Sequence, residues 1–164
     1  MDIDVKVATA AGLTHINSVI EAAVSHWPLA ARVKRLALPS LLYDESDFQF
    51  LKVFVATQDS TVVGMASIDS SKNYAQLHAL YVHPDYQGIG IGKRLMTAAF
   101  AHAAELGFEE ILVKAERVAA SYFEQQGLTR MIVSDDEYPY QFKAHLSEDA
   151  HQTASQVQGV NQAI

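Results

Sequence analysis

Tyr86-Gln87-Gly88-Ile89-Gly90-Ile91-Gly92-Lys93-Arg94 stands between a strand-like run and the most regular helical run of the chain. Glycines at alternate positions let a backbone take positive φ and approach a ligand closely. A helix starting directly behind them offers unpaired N–H groups and the positive end of its dipole, which together make an anion site. Strand, glycine turn and helix therefore suggest a cradle for a phosphate or pyrophosphate. Two familiar cradles do not fit. GxxxxGK[ST], counted back from Gly92-Lys93, puts Gln87 in place of its first glycine and Arg94 in place of Ser/Thr. The dinucleotide pattern GxGxxG meets Lys93 or Leu95 at its third glycine, and it normally follows the first strand. A packing turn that holds no ligand is the structural alternative.

Outward from this turn the chain alternates between short strands and helices. Downstream, Leu95, Met96, Ala99, Phe100, Ala103 and Leu106 recur at helical spacing, and Gly107 closes the helix. Glu109 to Lys114 reads as a strand, Ala119 to Gln126 as a short helix closed by Gly127, and Leu128–Val133 and Tyr140–Leu146 as two last strands. Upstream, Leu51–Ala56, Thr61–Ile68 and Ala75–Val82 read as a three-stranded antiparallel meander with short turns. Asp4–Ala8 suits a first strand. Thr9 is placed to cap a helix over Ala11–Ser25, with Leu13, Ile16, Ile20, Ala23 and Val24 on one face. A second helical piece spans Leu29 to Leu38 and is expected to end at Pro39, with Ser40–Phe50 as loop or short helix. A strand–helix–strand crossover past the glycine turn makes one neighbouring pair parallel. The sum is an α/β domain with a mixed sheet and helices on both faces.

The chain has 164 residues, enough for one domain, and no cysteine, which removes thiol nucleophiles, CxxC redox chemistry and cysteine zinc sites together. We place the domain at 1–147 and expect the Gln-, Ser- and Ala-rich stretch 148–164 to be a disordered tail. The N-terminus lacks a secretory pattern, and no apolar run reaches the ~20 residues of a membrane helix. A cytoplasmic protein without membrane contact is expected. A net charge of -7 speaks against nucleic-acid binding. It serves solubility, and it also suits a cationic amine in a negative cleft.

Gln87-Gly88-Ile89-Gly90-Ile91-Gly92 matches the Q/R-x-x-G-x-G/A signature, and on it the chain resembles the GNAT acetyltransferase superfamily. Leu77 to Tyr86 is similar to that family's fourth strand and the loop after it. Gly92 to Met96 is similar to the start of its pyrophosphate-binding helix, and Ala119 to Leu128 to its helix ending in a GF-type cap. The resemblance runs from about Val5 to Leu146 and is most specific from Leu77 to Arg94. It implies a mixed, mostly antiparallel sheet of six to seven strands with a splayed central pair. It implies acetyl-CoA as co-substrate, its pantetheine arm in the splay beside Leu80, Tyr81 and Val82. The diphosphate would rest on main-chain amides within Gln87, Gly88, Ile89, Gly90, Ile91, Gly92 and Lys93. The Lys93 side chain either adds charge or is an ordinary solvated helix lysine. The implied activity is N-acetyl transfer to a primary amine of a small molecule or peptide by direct attack, and homodimers are frequent among such families.

That chemistry needs a base, because an alkylamine with a pKa near ~10.4 is mostly protonated at neutral pH. It also needs donors for the oxyanion and an acid for the departing thiolate. His78 is the candidate base, since imidazole with a pKa near ~6.5 is largely neutral at pH 7. Arylalkylamine acetyltransferases of the superfamily place a catalytic histidine in a similar L-H-x-L-x-V-H string; many members instead use a glutamate two residues earlier, where this chain has Gln76. A histidine that only packs within the sheet is the other reading. The family's acid tyrosine falls four residues before the helix-ending glycine, at Phe123 here. Tyr122 then either substitutes after a local shift or is a core or CoA-contacting aromatic, with water as acid. Glu116 replaces an asparagine that many members place against the pantetheine.

The acceptor wall is expected from His26 and Trp27 after the first helix, and from Tyr43 and Tyr138, with Asp44, Glu45, Asp47 and Tyr140 nearby. Each also reads as a plain surface residue. His83 is expected to shape the loop at Pro84, and His102 to face solvent. No histidine spacing suggests a metal. A non-catalytic acyl-CoA-binding module remains the competing function, favoured by Gln76 and Phe123, and a nucleotide-binding domain is the third.

Overall fold

The computed structural model describes residues 2–146; the stretch 148–164, expected to be a disordered tail, lies outside them. The elements in order are β1 (Ile3–Val7), α1 (Leu13–Ser25), α2 (Ala31–Leu41), α3 (Asp47–Phe50), β2 (Leu51–Gln58), β3 (Thr61–Asp69), β4 (Ala75–Val82), α4 (Ile91–Glu105), β5 (Glu110–Ala115), α5 (Ala120–Gln125), β6 (Thr129–Met131) and β7 (Tyr140–His145). The seven strands form one sheet in the order β1-β2-β3-β4-β5-β7-β6. Among the described residues only β4 and β5 run parallel, joined by the α4 crossover. Among the described residues no helix is long and apolar enough to cross a membrane.

Alternation along the strands builds two cores, because successive side chains point to opposite faces. Val53 and Val55 join Ile16, Ile20, Val24, Tyr43 and Met65 under α1 and α2. Phe54 and Ala56 join Val63, Ile68, Leu95, Ala99, Ala103, Phe123 and Phe142 under α4 and α5. Gly64 lets α4 lie close on the sheet: a Cβ there would stand 2.9 Å from Leu95 Cδ1 and 3.2 Å from Tyr81 O. That close approach sets the start of α4 against the end of β4.

Four local expectations change. Thr9 makes no side-chain cap; a 3-10 turn over Ala10–Gly12 comes first, and α1 begins at Leu13. Pro39 lies inside α2 rather than ending it. It sits on the exposed side of the helix, where water can serve the carbonyl its missing N–H leaves free. Leu106, assigned to the buried face of the long helix, is half exposed beyond its end. His102 is half buried, its ring edge-on to Phe54 at 6.0 Å, rather than turned to solvent.

Candidate functional site

β4 and β5 pair only at Ala75↔Ile111, Gln76↔Leu112 and Leu77↔Val113. Past Leu77 the strands part, because β5 stays on β7 as far as Ala115↔Tyr140 while β4 stays on β3 to Val82. The backbone of β4 from His78 to Val82 is thus unpaired on its β5 side. This fork opens into a cleft of about 1010 Å³ that runs to the first turn of α4.

The glycine turn closes one end of the cleft. Gly88 and Gly90 have φ of 78° and 88°, and Gly90 is the N-cap of α4. A Cβ at either position would meet nothing within 4 Å, so these two glycines serve conformation and not packing. The turn is held from its flanks. Gln87 Nε2 donates to Val82 O at 3.2 Å, and His83 Nδ1 accepts from the Asp85 amide at 3.1 Å, the loop-shaping part expected of it. Gln87, Gly88, Gly90, Ile91, Gly92 and the exposed Lys93 all line the cleft, together with Leu80, Tyr81 and Val82. Ile91 is buried and anchors the helix, whereas the Ile89 side chain is half exposed and stands apart from the lining.

Gly92 is where the turn is tight. A Cβ there would sit 2.8 Å from the Tyr122 hydroxyl. Phe123, at the family's acid position, is 5% exposed and packs on Phe142 with ring centroids 5.9 Å apart. That packing fixes the rotation of α5 and turns Tyr122 toward α4. The Tyr122 oxygen is buried and has no hydrogen-bond partner among the described residues. Burial raises its pKa, which keeps it protonated at neutral pH.

His78 owes its direction to a β-bulge. Ser67 pairs with Ala79 and Ile68 with Leu77, so His78 is the extra residue of β4. A bulge re-aims side chains. Here it reverses the phase of the strand: Leu77 belongs to the α4 core, then Ala79 and Tyr81 to the α1 core, with Leu80 and Val82 back on the α4 side. The His78 ring is open to the cleft, edge-on to Tyr43 at 6.1 Å. The cleft walls displace water and push its pKa below the ordinary value. Asp69 and Asp47 oppose that shift, and Lys72 adds to it.

His26, Trp27, Tyr43, Asp47 and Tyr138 line the same cleft, with Trp27 stacked on Tyr81 at 6.5 Å and Lys114 Nζ 5.6 Å above the Tyr138 ring. Asp44, Glu45 and Tyr140 do not line it. Tyr43 offers only its ring, since its hydroxyl is bonded to Ser67. Glu116 stands at the cleft after β5, where its charge, second to burial, raises the Tyr81 hydroxyl.

Asp69 and Lys72 are lining residues that sequence reasoning missed. They lie in what reads as a turn, and only the register Asp69↔Gln76 brings them beside the start of β4. Burial works to raise the Asp69 carboxyl, but hydrogen bonds from the Ser71 hydroxyl and amide, with Lys72 and His78 near, leave it below its usual range. Among the described residues no group of three His, Asp or Glu side chains gathers as metal ligands.

The site suits coenzyme A by three independent marks: an unpaired strand edge, an open glycine turn at a helix start, and an orphaned buried hydroxyl between them. Comparison with solved structures finds likenesses of fold. The PaiA N-acetyltransferase of Thermoplasma acidophilum, in complex with coenzyme A, superposes with a TM-score of 0.78 at 18% identity, over 88% of this chain and 99% of that one. The putative acetyltransferase yncA of Salmonella typhimurium, with acetyl-CoA, gives 0.62 at 19% identity over 90% and 95%. The ribosomal-protein-S18-alanine N-acetyltransferase of Escherichia coli gives 0.63 at 16% identity over 89% and 95%. At such identities the likeness is one of fold. Comparison with curated protein sequences finds no match. Residues 18–128 match the profile of the acetyltransferase (GNAT) family, and on that match, which takes in the fork, the glycine turn and α5, the chain belongs to this family.

Proposed function

We propose that the protein moves an acetyl group from acetyl-CoA to a primary amine of a small molecule or peptide by direct attack, with His78 as base and Tyr122 as acid. The observation that carries the reading is the bulge. It turns a largely neutral imidazole into the same cleft as the unpaired β4 edge and the α4 start. Main-chain groups of Leu80 and Val82 would hold the pantetheine arm, and amides of the Gln87–Lys93 turn the diphosphate. Acetyl-CoA supplies the activated acyl group. The incoming ammonium must shed a proton, and His78 accepts it. Tyr122, kept protonated by burial, can give its proton to the thiolate and is made good by the second proton that the acylated nitrogen loses. The amine-binding wall is His26, Trp27, Tyr81 and Tyr138, with Asp47 and Asp69 adding negative charge.

A thiol-release assay against a panel of primary amines tests the reading. Coenzyme A release that depends on an added amine supports it; acetyl-CoA binding without turnover on any amine marks a binding module instead. The pH profile is a second expectation. The base form of His78 prevails above its lowered pKa, so kcat/KM for the amine should fall as pH drops through a value below ~6.5. An acid limb at or above that value removes His78 from the role.

Tyr122→Phe should separate stability from activity. Its hydroxyl is buried without a partner among the described residues, a state that costs about 1 kcal/mol or more. Removing it should raise the melting temperature without ligand by about 2–4 °C. Turnover should fall by about tenfold, a modest loss because thiolate, with a thiol pKa near ~8.5, is a tolerable leaving group. A variant with lower melting temperature and unchanged turnover contradicts both halves.

A further inference from the structure

We propose that Tyr43 is a positioning residue for His78, a brace fixed at both ends against which the bulged imidazole is held. The proposal rests on the reading of His78 as the base. Its main chain is clamped by one side chain of α1: Asn17 Nδ2 donates to Tyr43 O at 2.9 Å, and the Tyr43 amide donates to Asn17 Oδ1 at 2.8 Å. Its hydroxyl is tied to Ser67 Oγ on β3. Both partners are buried, Tyr43 at 7% exposure and Ser67 at 0%. The tyrosine therefore bridges α1 and β3 with almost no freedom of its own, and its ring meets His78 edge-on.

Ser67 is also the residue paired with Ala79, directly after the bulged His78. One buried hydrogen bond thus joins the brace to the point where the ladder slips. β4 needs support there. It has lost β5 as a partner beyond Leu77, so β3 is the one strand that pairs with it there. An unbraced bulge would let the imidazole wander, and a misplacement of about 1 Å can cost about 100-fold in rate. The charged groups facing His78, namely Asp69, Asp47 and Lys72, make no hydrogen bond to it that could fix the ring.

The test reads His78 directly. Its imidazole is titrated by NMR in the full chain, with the resonance assigned by its loss in His78→Gln. Tyr43→Phe keeps the ring and removes the bond to Ser67. Ser67→Ala removes the same bond from the other side, and serves alone if Tyr43→Phe does not fold. Asn17→Ala releases the main chain. In each variant the His78 pKa should rise toward the unperturbed value of ~6.5 as the ring regains water. The kcat on the best panel amine should fall about tenfold, with KM for acetyl-CoA unchanged. Tyr43→Phe with Ser67→Ala should be no worse than Tyr43→Phe, since both delete one interaction. A His78 titration that stays put in folded variants overturns the proposal, because a purely structural pair would lower the melting temperature alone. If His78→Gln keeps full turnover, the base assignment falls, and the NMR titration still decides whether Tyr43 holds the ring.

Discussion

Gly90→Glu should abolish acetyl-CoA binding while the protein stays folded. The reason is charge and not crowding. A Cβ at Gly90 meets nothing within 4 Å, but the residue sits at φ 88° as the N-cap of α4. A side chain there costs about 1–2 kcal/mol of backbone strain, which a domain of this size can absorb. The effect on binding is larger. A carboxylate about 4 Å from a phosphate charge, at an effective dielectric near 20, repels it by about 4 kcal/mol. That is about three orders of magnitude in affinity. Gly90→Ala carries the same strain without the charge and should keep most of the affinity. Calorimetric titration with acetyl-CoA, beside melting curves of all three proteins, reads both terms. Equal affinity in the wild type and the glutamate variant would place the diphosphate elsewhere.

His78→Ala should lower kcat by about 100-fold or more, the scale of a lost general base. Affinity for acetyl-CoA should stay, since the cofactor is read as held by main-chain groups of the β4 edge and the α4 turn and not by the His78 ring. The acid limb of the pH profile should vanish with the imidazole. Because the side chain is open to the cleft, its loss leaves no core cavity, and the variant should melt close to the wild type. Full activity across pH 6 to 9 would show that another group or water takes the proton.

Most of the architecture is legible in the residues. The strands Thr61–Asp69 and Ala75–Val82 and the helix after the glycines stand within a residue or two of where alternation and helical spacing put them. Gly88 and Gly90 take positive φ, as a turn that rises to a helix start requires. Pro39 escapes its usual reading because a breaker near the exposed end of a helix has water to complete its hydrogen bonding. The pair Tyr122-Phe123 shows the limit more sharply. Sequence spacing says that adjacent helical residues point about 100° apart. It does not say which of the two faces the cleft. Phe142, on a strand 19 residues later, decides that by taking Phe123 into the core.

The amino-acid order alone determined the local elements, the glycine turn and the class of ligand it suits, because those follow from short-range sterics, hydrogen-bonding capacity and periodicity. Tertiary structure decided the rest of the site. A one-residue slip between β3 and β4 set the face of His78, and the same register brought Asp69 and Lys72 to the cleft. The partition of β4 and β5 between different neighbours opened the fork. Each of these depends on how separate segments pair in space, and pairing register is a property of contacts between strands, not of either strand by itself.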